Sequence, residues 1–179
     1  MSKEHDLLAP GITTRGGVWA ELGSGTGTFT LVLRELLGSQ AQIFSVDRDA
    51  HALEKQRQAM ETQYPGTKIS YIQGDFTKPL KFPPLDGILM ANALHLIKFD
   101  EQSAACQQIS TYLRPDGGKL LIVEHESRRG SPWVPFPVDY ESFQYLAAEA
   151  GLSDIHRLAI QPVRFHGDLY SAIGLRFAQ

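Results

Sequence analysis

The stretch VWAELGSGTGTFT, residues 18–30, decides how this chain is read. The apolar run VWAEL is followed by Gly23, Gly25 and Gly27, and then by the helical pattern of TFTLVLREL. Strand, glycine turn and helix form the opening unit of a doubly wound α/β sheet, in which ligands bind at the carboxyl ends of the strands. Glycines there let the chain turn tightly and bring bare backbone up to a ligand, while the following helix presents free N–H groups.

The same alternation continues outward from this unit. Residues 17–22 read as a strand, 28–37 as a helix, 41–46 as a strand and 50–63 as a helix. Strands are expected at 68–73 and 85–91, a helix at 100–113, and a strand at 119–126 after the turn RPDGG. A helix over 140–150 follows the proline-rich SPWVPFP, and strand-like runs at 155–163 and 169–177, separated by RFHGD, suit an antiparallel hairpin. Near-continuous apolar strands such as DGILMA and KLLIVE require cover on both faces. The expectation is one domain, 1–179, of the α/β class: a Rossmann-like, doubly wound sheet of seven strands, mostly parallel, with a C-terminal antiparallel hairpin.

Composition narrows the partners. The 179 residues are 42% hydrophobic and 21% charged, which is ordinary globular usage. No apolar run approaches the roughly 18 residues of a spanning helix, and the amino terminus lacks a signal or transit pattern, so a soluble cytoplasmic protein without membrane contact is expected. The net charge is -3 and no basic cluster is longer than Arg128-Arg129, which argues against nucleic acid as a partner. The single cysteine, Cys106, has helical spacing with Ile109 and Leu113 and reads as a core position.

The neighbours of the glycines select the ligand. No lysine follows them, so a phosphate-binding loop is absent. The dinucleotide fingerprint is also incomplete, because Thr28 or Thr30 stands where its last glycine would be. Glu21, just before the turn, repels a pyrophosphate and attracts an ammonium group. Asp47, roughly 20 residues past the glycines at the end of the second strand, is placed to take both hydroxyls of a ribose. Together these residues describe a nucleoside with a cationic arm.

The segments ELGSGTGTF, IFSVDRD, QGDFTKP, DGILMANALHLI and LRPDGGKLLIVE resemble, in order and spacing, the class I S-adenosylmethionine-dependent methyltransferases, particularly the small type 11 or 25 members. The resemblance runs from about Gly17 to Phe177. It implies that S-adenosylmethionine is the cofactor, with Glu21 near its amino group and the backbone from Gly23 through Ser24 and Gly25 to Gly27 along its methionine part. It implies Asp47 on the ribose, Arg48 along the adenine, Asp75 accepting from the adenine amino group, the Phe76 N–H at a ring nitrogen, and Asn92 beside the sulfonium.

A sulfonium methyl needs an aligned nucleophile more than it needs catalytic side chains. A base helps where the acceptor atom carries a proton, and His95 in NALHLI stands on the expected active edge as the candidate catalytic residue. His125 lies on the same edge, but strand alternation points Glu124 and Glu126 away from it, so no metal site is expected. Asp139 reads as the N-cap of the helix that begins at Tyr140.

In the position after the fourth strand, ANALHL replaces the proline-rich signature typical of enzymes that methylate bases or amides in polymers. A small-molecule acceptor, taking the methyl on oxygen, nitrogen or carbon, is the remaining reading. Its pocket would be walled by EHDLLAPG, NALHLIKF and the loop 127–139 with Trp133 and Phe136, and a homodimer could complete it. The alternative is a non-catalytic S-adenosylmethionine-binding partner or sensor protein.

Overall fold

The computed structural model describes residues 2–163 and 167–178. Its elements run α1 (Lys3–Leu8), β1 (Val18–Leu22), α2 (Thr28–Leu37), β2 (Gln42–Asp47), α3 (Ala50–Gln63), β3 (Ile69–Gln73) and β4 (Gly87–Ala91). They continue with α4 (Phe99–Ser110), β5 (Asp116–His125), α5 (Tyr140–Glu149), β6 (Leu152–Gln161) and β7 (Leu169–Phe177), with 3-10 turns at Ala9–Gly11 and Leu94–Leu96. One sheet of seven strands has the order β3-β2-β1-β4-β5-β7-β6. The first five strands pair in parallel, and β7 runs antiparallel to both β5 and β6. The strand order reverses between β1 and β4, so the crevice at their carboxyl ends is the place where such a sheet takes a ligand.

Alternation along the strands builds two cores. Ala20, Leu22, Ile88, Met90, Leu120 and Ile122 face the side covered by α4 and α5. Trp19, Ile43, Leu89, Leu121 and Val123 face the other side, against Leu33 and Leu37 of α2. The helix α1 was not foreseen as an element, because six residues are too few to hold a helix by propensity alone. Burial of Leu7 and Leu8 in this second core holds it in place, each worth about 1.5–3 kcal/mol. The segment expected to wall the acceptor pocket is thus packed onto the sheet through Leu7 and Leu8.

The helix ends follow the expected chemistry. Asp49 caps α3 by accepting from the N–H groups of His51 and Ala52, and Asp139 caps α5 by accepting from Ser142. Cys106 is buried in α4, and its burial pushes the thiol up to about 12. The expected hairpin pairing of β6 with β7 is present, whereas residues 164–166 of its connection RFHGD lie outside the described residues. Among the described residues no helix is long and apolar enough to cross a membrane.

Candidate active site

The turn after β1 is held by packing at two of its glycines and left open at the third. Gly23, Gly25 and Gly27 all have positive φ, at 77°, 53° and 91°. A Cβ at Gly23 would stand 2.7 Å from the Ala93 methyl and 3.1 Å from the Phe76 ring, and one at Gly27 would overlap the Gln56 side chain. At Gly25 it would meet no atom within 4 Å. Four donors of the turn are engaged within the protein. The N–H groups of Gly23 and Ser24 donate to the Val46 carbonyl at 2.8 and 3.0 Å, and that of Gly27 donates to the Ser24 carbonyl at 3.0 Å. Gly25 N–H donates to Asp47 Oδ2 at 2.7 Å. Four of its N–H groups are therefore spent inside the protein, and the N–H groups left at this corner are those of the first turn of α2, which has no side-chain cap.

Beneath the turn lies a buried polar cluster. Glu21 accepts a hydrogen bond from the Thr30 hydroxyl, which in turn accepts from Gln56 Nε2. Gln56 Oε1 accepts from Ser45 at 2.8 Å and from Ser24 at 3.3 Å, which ties α3 to β2 and to the turn. Burial raises the Glu21 carboxyl to about 8, with the Thr30 hydrogen bond opposing the shift and the Asp47 charge adding to it. Thr30, Ser45 and Gln56 escaped the sequence reading, since polar residues on amphipathic elements look like surface until packing turns them inward.

The acidic ends of the next two strands stand at the same edge. Asp47 holds Gly25 with one oxygen and accepts from Asp49 N–H with the other at 2.9 Å. Arg48 is exposed and lies close enough to Asp75 to favour its ionised form. Asp75 accepts from the Thr77 hydroxyl at 2.6 Å and the Thr77 N–H at 2.9 Å, and these hydrogen bonds hold its carboxyl below the usual range. Phe76 is buried against Gly23.

Beyond β4 the chain adopts an uncommon conformation. Asn92 has φ 53°, in the left-handed region, and its Oδ1 is buried with no hydrogen-bond partner. Three residues later, His95 is 4% exposed and its Nδ1 lies 2.6 Å from Oε2 of Glu124, which is fully buried on β5. The other oxygen of Glu124 accepts from Leu94 N–H at 2.8 Å and from His95 N–H at 3.3 Å. The His95 carbonyl accepts from Phe136 N–H at 3.1 Å, and the His125 ring stands 6.3 Å from the His95 ring. Glu124 was read from the sequence only as pointing away from His125. Its place at the end of the apolar run LLIV, on a strand buried there on both faces, is the available signal.

Leu96, Phe99 and Trp133 are exposed, Trp133 at 76%, and Phe99 packs edge-on to Phe136 at 5.4 Å. A larger hollow of about 610 Å³, lined by Phe82, Tyr112 and Arg176 among others, lies at the amino-terminal ends of β4 and β5, away from these groups. Arg176 is committed there to the carbonyls of Ser110, Thr111 and Leu113.

A doubly wound sheet of this order, with acidic side chains around its first turn and the family match that follows, is that of a class I S-adenosylmethionine-dependent methyltransferase. The family model described as a methyltransferase domain matches residues 20–117, more than half of the chain, and the chain belongs to that family. It is 25% identical over 177 residues to a ubiquinone/menaquinone biosynthesis C-methyltransferase of a Marinomonas species, covering 97% of this chain and 69% of that protein. It is 27% identical over 111 residues to a 2-phytyl-1,4-naphthoquinone methyltransferase of a Nostoc species, covering 62% of this chain and 48% of that one. The chain thus spans about two thirds of one relative and about half of the other. In fold it is similar to magnesium protoporphyrin IX methyltransferase of Synechocystis, solved with bound S-adenosylmethionine, at a TM-score of 0.73 and 15% identity over 90% of this chain and 71% of that chain.

Proposed function

We propose that this chain transfers a methyl group from S-adenosylmethionine to a small-molecule acceptor with an apolar, cyclic body. The observation that carries the reading is the chemistry of the first turn. Its N–H groups at positions 23, 24, 25 and 27 are spent inside the protein, Asp47 and Asn92 Oδ1 offer acceptors around it, and the buried Glu21 carboxyl can ionise against an ammonium group. Such a setting favours a ligand with cationic and hydroxyl groups over a phosphorylated one.

The residues present fit this cofactor. Asn92, with its unpartnered Oδ1, follows β4, and Gly25, open on its side-chain face, follows β1, the two strands between which the order reverses. When bound, S-adenosylmethionine supplies a methyl carbon made electrophilic by its sulfonium charge. Glu21 would receive the ammonium group, and Ser24 and Gly25 would lie along the methionine backbone. Asp47 would accept from the ribose hydroxyls with the lone pairs it does not give to Gly25 and Asp49. Arg48 would lie along the adenine, Asp75 would accept from its amino group, and the Phe76 N–H would reach a ring nitrogen. Asn92 would place its oxygen beside the sulfur. His95 would take the acceptor's proton as general base.

The exposed Leu96 and Phe99, with Phe136 edge-on to Phe99, support an acceptor with a ring and little charge. The two curated relatives are named for ubiquinone/menaquinone and for 2-phytyl-1,4-naphthoquinone, and this supports reduced quinones as the first acceptors to try. Calorimetry with S-adenosylmethionine, its demethylated product and NAD, followed by methyl transfer to a panel of reduced quinones, phenols and aromatic amines, tests the proposal. Binding of the first two and not of NAD is expected, with turnover on at least one cyclic acceptor. Binding without turnover would turn the reading to a non-catalytic partner, and no binding would end it.

A further inference from the structure

We propose that Glu124 is a positioning residue: it fixes the tautomer of His95, so that Nδ1 carries the proton and Nε2 is the base, which favours an acceptor that must lose a proton on methylation. The inference rests on the methyl-transfer reading for its reaction, though the tautomer itself can be observed without any acceptor.

A fully buried carboxylate needs a reason, since several kcal/mol of desolvation, on the order of magnitude found for buried ions, must be offset by hydrogen bonds. Three donors converge on Glu124. Leu94 and His95 direct their N–H groups to Oε1, and the His95 ring directs Nδ1 to Oε2 at 2.6 Å. Among the described residues no lysine or arginine pairs with this carboxylate, so the imidazole is its one ionisable partner. An ionised carboxylate only accepts, so Nδ1 must donate and Nε2 keeps its lone pair. Among the described residues Nε2 has no hydrogen-bond partner.

The other groups nearby do not compete for this role. The Tyr170 hydroxyl, which senses the Glu124 charge, donates to the Val138 carbonyl at 2.8 Å. Glu126 is paired with Arg157, and the His125 ring stands 6.3 Å from the His95 ring. The imidazole is also held at its own backbone, through the Glu124 and Phe136 hydrogen bonds. It is thus fixed in place and in orientation before any ligand arrives, which is the condition for efficient proton transfer.

The step balances without a further reactant. As the acceptor atom bonds to the methyl carbon and the S–CH3 bond breaks with its electron pair going to sulfur, the acceptor's proton passes to Nε2. The imidazolium so formed keeps Nδ1–H on Glu124, whose negative charge stabilises it, and later releases the Nε2 proton to solvent. An acceptor with no proton to lose, such as a thioether or a tertiary amine, gains nothing from this pair.

The test separates this role from a merely structural one. In Glu124→Gln the amide oxygen still accepts from the Leu94 and His95 N–H groups, but its NH2 now faces Nδ1 and drives the ring proton to Nε2. Nitrogen NMR of labelled imidazoles should show the Nδ1–H tautomer at His95 in the wild type and the Nε2–H tautomer in the variant. Affinity for S-adenosylmethionine should stay within about threefold, while kcat on a proton-bearing acceptor falls about 10²–10⁴-fold with little change in KM. A wild-type His95 in the Nε2–H form would overturn the proposal, and this reading requires no variant to fold. An inverted tautomer with kcat intact would overturn it as well. Failure to bind S-adenosylmethionine beside a confirmed Nδ1–H tautomer would instead count against the methyl-transfer reading.

Discussion

Replacing Glu21 by glutamine should change how the stability of the protein depends on pH. The carboxyl is fully buried and raised from 4.5 to about 8, whereas in the unfolded chain it titrates near its ordinary value. Between those two values the folded protein holds one more proton at this site than the unfolded chain does. Stability therefore falls as pH rises through that window, by up to about 1.4 kcal/mol per pH unit, and by a few kcal/mol on the order of magnitude for the whole of it. Below pH 4.5 the contribution is fully present, and above about 8 it has been lost. Glutamine can keep the Thr30 hydrogen bond and has no proton to lose, so the variant should show a flatter profile across the window. Urea unfolding at pH 5, 6, 7, 8 and 9 measures both curves. Parallel curves would refute the argument that burial controls this group. The same proton provides a second check, because an ammonium group placed beside Glu21 would favour its ionised form. Near pH 7, binding of S-adenosylmethionine should release more protons from the wild type than from the variant, read from calorimetric enthalpies in buffers of different ionisation heat. Equal release would remove Glu21 from the amino-group site.

Three further outcomes are expected. Gly25→Ala should cost only about 1–2 kcal/mol for its left-handed φ yet weaken S-adenosylmethionine binding at least tenfold, whereas Gly27→Ala should destabilise more because its Cβ would strike Gln56; urea melts and calorimetry distinguish the two. Asn92→Gly accepts the same backbone conformation and removes a buried, unpartnered amide oxygen, so stability should hold or rise by about 1 kcal/mol while cofactor affinity falls about tenfold. Cys106, with its thiol pushed up to about 12 by burial, should resist alkylation in the native protein at pH 8 and react fully once unfolded, as mass spectrometry would record.

Much of this molecule is legible because its signals are local. The alternation of apolar strands with amphipathic helices needs only neighbouring residues to be read, and α2, α3 and β7 fall where the pattern puts them. The short helix α1 was missed because Leu7 and Leu8 stabilise it through contacts with distant parts of the chain. The glycine turn, Asp47 and Asp75 could be picked out by their places after three successive strands. Thr30, Ser45 and Gln56 could not, because nothing in a short window distinguishes a buried glutamine under a turn from an exposed one on a helix.

The sequence by itself therefore determined the class of sheet, the family and the edge on which a ligand should sit, all of which follow from the order and period of its segments. Tertiary structure decided how the polar groups are used. It spent the N–H groups of the turn on Val46, Asp47 and Ser24, left Asn92 Oδ1 without a partner, and set Glu124 against an imidazole 29 positions away. Those outcomes depend on the registers of β1 with β2 and of β4 with β5, and a register is settled by the packing of whole strands rather than by any one residue.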